Sequence, residues 1–173
     1  AASAVRTIPV TALLSALWLF GVLAAALVQG GGYLLARRRL LRDARPDLEA
    51  EAGQTAASLG LKRAVPVRRS RQVRTPMVLG LLRPVLLLPE GQAVDEVVLC
   101  HELTHLKRLD LAYKALLVAA CWLHWFNPLV WWMSRAASEN LELCCDDDVA
   151  AGRDAAFRRK YGELLLSTAE EKP

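Results

Sequence analysis

The chain has 173 residues, about the length of one domain, and carries 22 Lys+Arg against 18 Asp+Glu for a formal net charge of +4. Its hydrophobic fraction of 54% is high for a soluble domain, and the excess is concentrated instead of spread. Much of the basic excess comes from a cluster just after the most apolar segment and from Lys62, Arg63, Arg68, Arg69, Arg71 and Arg74, with no helix-turn-helix or finger pattern around them, which argues against a nucleic-acid reader. Cys100, Cys121, Cys144 and Cys145 form no C-x-x-C knuckle and no disulfide framework. Three of them sit in apolar helical surroundings, where a reduced cysteine acts as a small hydrophobe, as expected in a reducing cytoplasm.

From Ile8 to Ala36 the only polar side chains are Thr11, Ser15, Gln29 and Tyr33. At about 1.5 Å per residue this stretch exceeds the ~30 Å hydrocarbon core of a bilayer. It is also longer than the apolar region of a signal peptide, and Arg37, Arg38, Arg39 and Arg42 follow it in place of a cleavage pattern. Residues 8–36 are therefore expected to form a transmembrane helix. The arginines place residues 37–173 on the cytoplasmic side by the positive-inside rule.

Asp47 to Gly60 reads as an amphipathic helix with Leu48, Ala52, Ala56 and Leu59 as its apolar stripe. Three short strand-like runs follow, Val65 to Arg69, Pro76 to Leu79 and Val85 to Leu88, punctuated by Pro76, Gly80, Pro84 and Pro89. They suit a small meander. From Gln92 the period becomes helical again, with Val94, Val97, Val98, His101 and His105 on one side. The fold class expected is mainly α with a small β-sheet.

That last helix carries His101-Glu102-Leu103-Thr104-His105, an H-E-x-x-H sequence. Two histidines four apart lie one turn above each other on one helical face and can close on a single metal ion, zinc most often. The glutamate between them is placed to take a proton from a water on that metal. A catalytic zinc needs a third protein ligand and an open position. Downstream, Glu142 and Asp146 are four apart and share a helical face, so one can bind the metal while the other orients a ligating histidine. Glu139 lies three residues before Glu142 and competes for the ligand role, but the position four after it is Leu143, not a carboxylate.

Leu111 to Met133 looks like a second span, which would strand Glu142 across the membrane from His101. Asn127-Pro128 offers a break: Asn127 suits an N-cap and Pro128 the first position of a new helix. Residues 109–133 are expected to form a helical hairpin that dips into the bilayer and returns, after a bend near Leu109-Asp110. Trp122, Trp125, Trp131 and Trp132 would then lie in lipid or at the interface, with His124 a polar anchor among them.

Four ordered motifs resemble the BlaR/MecR-type membrane metallopeptidases: Thr75 to Pro89, His101 to Asp110, Trp125 to Trp131, and Glu142 with Cys145-Asp146. The resemblance covers roughly residues 10–168. It implies a gluzincin-like zinc peptidase of a bacterial signalling or antirepressor system, with His101, His105 and Glu142 as zinc ligands. Glu102 would be the general base, and Asp146 would orient a ligating histidine. The implied partners are membrane lipid and a protein substrate, either a transcriptional repressor or the chain itself, with no direct nucleic-acid contact. The substrate is expected to lie extended beside Pro76 to Leu79, and Tyr161 to be a core tyrosine. The best-known members sense β-lactams through a serine-based domain of which this sequence has no trace, so a fragment or a member with another sensor is expected. Two other readings stay open: a non-catalytic transducer in which zinc holds helices together, and a metal-free membrane adaptor using its basic face.

Overall fold

The structure, a computed structural model, describes residues 9–46, 49–61, 65–91 and 95–170. Helix α1 (Val10–Arg42) runs for 33 residues with a mean hydropathy of 2.2 over its most apolar stretch and no residue buried by the rest of the chain. A helix apolar all round is normally covered by protein or by lipid. Here the protein covers one side of it only in part, and its length suffices to cross a bilayer. It continues past Ala36 through the arginine cluster to Arg42, six residues beyond the expected end.

After a two-residue strand β1 (Arg45–Pro46) comes α2 (Glu49–Ser58), which ends two residues before the expected Gly60. Asp47 and Leu48 lie outside the described residues, as do Gln92 and Val94 further on. Ala52 and Ala56 are buried as the stripe predicted, and Gly60 ends the segment at φ 77°. Strands β2 (Val67–Ser70), β3 (Met77–Leu79) and β4 (Val85–Pro89) complete a four-stranded sheet in the order β1-β2-β4-β3. This corrects the meander: β4 inserts between β2 and β3 and runs parallel to β2. The cause is readable in β4 itself. Leu86, Leu87 and Leu88 are all buried, so the continuous apolar run belongs to a central strand covered on both faces. The half-buried β3 is left at the edge.

Helix α3 (Glu96–Lys107) starts where Asp95 accepts a hydrogen bond from the Val97 N–H at 3.1 Å. One side, through Leu99 and Leu103, packs on Val67, Leu86, Leu88, Ala52 and Ala56. The other, through Val97 and Cys100, packs on Cys145, Val149 and Tyr161 from α5 (Pro128–Ala150) and α6 (Ala155–Glu170). Held from both sides, α3 has little freedom to rotate, and its remaining face presents His101 and His105.

Between α3 and α4 (Asp110–Leu123) stands Leu109 in the left-handed conformation, φ 61° and ψ 30°. A leucine there carries a steric cost, which the site geometry described below offsets. Helices α4 and α5 pack against each other, separated by His124–Asn127. Asn127 accepts from the Leu129 N–H at 3.0 Å and Pro128 opens α5, so the break falls where the sequence put it. The turn also packs on α1: Trp18 Nε1 donates to the Leu123 carbonyl at 2.9 Å and Trp122 Nε1 to Gln29 Oε1 at 3.3 Å. Gly21 admits the Trp125 ring so closely that a Cβ would fall 2.1 Å from it. The turn therefore sits level with a point 16 residues before Arg37 on α1, about 24 Å along that helix.

Candidate metal centre

Four elements meet at the histidine pair. His101 and His105, one turn apart on α3, bring their Nε2 atoms to 3.2 Å. Glu142 of α5 places Oε2 at 3.2 Å from His105 Nε2 and 3.9 Å from His101 Nε2. Donors bound at about 2.0–2.1 Å in tetrahedral geometry stand roughly 3.3 Å apart. Two of the three distances, at 3.2 Å, are close to that value and the His101–Glu142 distance of 3.9 Å is longer; the donor set of two imidazoles and one carboxylate fits zinc with one position left open. Glu139 is exposed and does not join the cluster.

Each histidine is held through its other nitrogen. His105 Nδ1 lies 2.7 Å from Asp110 Oδ2, and Asp110 is 1% exposed. The left-handed turn at Leu109 swings the start of α4 back so that this carboxylate reaches the ring. Arg108 Nε approaches both Asp110 oxygens at 3.3 Å, while its Nη1 donates to Asp148 and to the Cys144 carbonyl of α5. His101 Nδ1 lies 2.8 Å from Tyr161 Oη, which donates to Asp146 Oδ1 at 2.5 Å; that same carboxylate oxygen is 3.3 Å from His101 Nδ1. Because both Nδ1 atoms face these partners, each ring turns its Nε2 toward Glu142, the nitrogen left to a metal.

The electrostatics follow from this packing. Burial alone would lower the basicity of His105, but hydrogen bonds to Cys145, Glu142 and Asp110 outweigh it and raise its pKa to about 11. The hydrogen bond to His105 in turn holds Glu142 down to about 2, despite its partial burial. Burial and the neighbouring His105 charge lower His101. Glu102 is pushed above the usual carboxylate range, chiefly by burial, and feels the charges of His105, Glu142 and Lys114. A carboxylate made more basic in this way is better suited to accept a proton near neutral pH.

A second donor set shares the histidines: Cys145 Sγ falls within 4.8 Å of donor atoms on both. Its geometry is poorer. The thiol lies 3.9 Å from His101 Nδ1, the nitrogen already facing Tyr161, and is 3.7 Å from the His101 carbonyl, to which it donates. Burial also pushes the Cys145 thiol up, away from the thiolate that binds metals. Glu142, on the Nε2 side, completes the better set.

Of the expected site residues, His101, Glu102, His105, Glu142 and Asp146 thus converge, and His124 stays exposed at the far end of α4. Asp146 reaches His101 both directly and through Tyr161. Tyr161 is buried as a core tyrosine should be, but its hydroxyl is also part of the site. Sequence reasoning missed the roles of Asp110 and Lys114. Lys114 Nζ bonds Glu142 Oε1 at 2.7 Å, and its signal was available, because it is the only basic residue in α4, where the one other charged residue is Asp110.

A family model described as BlaR1 peptidase M56 matches residues 1–173. The regulatory protein BlaR1 of Bacillus licheniformis is 37% identical over 107 residues, covering 59% of this chain and 18% of that protein. The methicillin resistance mecR1 protein of Staphylococcus aureus is 28% identical over 111 residues, covering 61% of this chain and 19% of its own length. The namesake in Staphylococcus epidermidis matches to the same extent. The chain therefore spans about a fifth of the length of these curated relatives.

Proposed function

Because this chain belongs to the BlaR1 peptidase M56 family, we propose that it is the membrane-anchored zinc metalloendopeptidase unit of a bacterial sensor-transducer. The observation that carries the reading is the triangle of His101 Nε2, His105 Nε2 and Glu142 Oε2, with Glu102 next to His101 on α3 and within reach of the His105 and Glu142 charges. When bound, zinc supplies a Lewis acid that polarises the scissile carbonyl and brings the pKa of a coordinated water to about 7. Glu102 accepts the proton of the attacking water and delivers it to the leaving amine. Asp110, Asp146 and Tyr161 fix the histidine rings, so the ligands need no reorganisation. The free edge of β3 offers backbone groups on which an extended substrate can pair. Fold likeness to gluzincins belongs to the same proposal.

The substrate we propose is a cytoplasmic protein, a repressor or the chain itself, in line with relatives named for regulation and for methicillin resistance. The purified chain is expected to cleave an unstructured protein substrate, to lose that activity to a chelator and to regain it with zinc. Cleavage that persists with the metal removed would contradict the reading.

For topology we propose that residues 8–36 cross the membrane, that 37–173 form the cytoplasmic peptidase, and that the α4–α5 hairpin dips deeply and returns. Helix α4 spans about 21 Å, short of the ~30 Å core. The tip exposes Phe126, Leu129, Trp132 and Met133, an apolar patch that lipid would cover. Cys144, next but one to Glu142, is the exposed native cysteine and serves as a probe. An impermeant thiol reagent added outside intact cells should label neither Cys144 nor an introduced S58C, and should label both once cells are opened. Outside labelling of Cys144 alone would mean that Leu111 to Met133 crosses the bilayer once, and the hairpin would be wrong.

A further inference from the structure

We propose that Lys114 is a positioning residue of the metal centre, occupying one oxygen of Glu142 so that only the other reaches the metal. The inference rests on reading His101, His105 and Glu142 as zinc ligands. Lys114 Nζ holds Oε1 at 2.7 Å, while Oε2 faces both imidazoles at 3.2 and 3.9 Å. The Glu142 side chain is 46% exposed, so packing alone does not fix its rotamer. A carboxylate left free to turn can bind a metal through one oxygen or through both. Binding through both would fill the position that a catalytic site must keep open.

Two features make Lys114 suited to this task. It stands four residues after Asp110, hence on the same face of α4. One helix thus anchors two ligands, Asp110 holding His105 and Lys114 holding Glu142. Lys114 also lines an apolar cavity of about 460 Å³ between α4, the end of β3 and α1, whose other walls include Leu79, Leu81, Val118 and Tyr33. A lysine stem laid along apolar walls keeps its ammonium at the rim, here against Glu142. An ion pair this exposed adds little to stability, so its consequence is geometric.

Cobalt(II) in place of zinc reports coordination number, because four-coordinate cobalt absorbs visible light much more strongly than five-coordinate cobalt. The wild-type chain loaded with cobalt should show the strong four-coordinate bands. K114M should retain cobalt but lose these bands several-fold as Oε1 joins the metal, and K114R, which restores the donor, should return them. Circular dichroism of both variants should match wild type, since Lys114 is partly exposed. An unchanged spectrum in K114M, or a K114R spectrum no closer to wild type than that of K114M, overturns the proposal while leaving the ligand assignment intact. A wild-type chain that takes up neither cobalt nor zinc overturns the ligand assignment itself and this inference with it.

Discussion

Replacing Glu102 by alanine is expected to leave about one zinc per chain and a folded protein while abolishing peptide cleavage. None of the ligand-holding hydrogen bonds described above involves the Glu102 side chain, so the metal centre should survive its loss. What disappears is the carboxylate that burial has made unusually basic beside the histidine pair. Positioned proton transfer is typically worth about 10²–10⁴-fold in rate. Cleavage assays on zinc-replete E102A decide the matter: full activity would remove Glu102 from the mechanism. It would favour the reading in which zinc only holds helices together.

The second large effect concerns metal retention against a chelator. E142A should be the most damaging of the carboxylate variants, because it removes a donor at 3.2 Å from His105 Nε2. D110N and D146N should each cost about 10–100-fold in affinity, as is usual when a partner that orients a ligating histidine is lost. D110N is expected to be the worse of the two. Asp110 is 1% exposed and bonds His105 directly at 2.7 Å, whereas Tyr161 stays beside His101 when Asp146 is changed. E139A should be nearly neutral. Release of zinc by E139A with retention by E142A would shift the third ligand by one helical turn.

Much of this arrangement is legible in the amino-acid sequence, for identifiable reasons. Helical spacing put His101 over His105 and Glu142 in line with Asp146, because a period of 3.6 residues is local and needs no tertiary information. The Asn127-Pro128 break was equally local, since capping and proline stereochemistry act within one turn. Sheet order was not. The run Val85 to Leu88 announced a strand, but its place between β2 and β3 is set by which strand buries both faces. The sequence marks a bend near Leu109-Asp110 but not the contact of Asp110 with His105, which depends on a left-handed leucine at 109, a conformation no sequence preference suggests. Tyr161 reads from sequence as a core tyrosine, and it is buried. Its hydroxyl contacts come from α6 docking on α3, a long-range event.

The most direct test of the account is the metal content of the purified chain, measured by elemental analysis after dialysis. It predicts about one zinc per chain in the wild type and in E102A, and severe loss in H101A, H105A and E142A. A well-folded wild-type chain that retains no zinc, or three ligand variants that retain it fully, would contradict the assignment of this site as a metal centre.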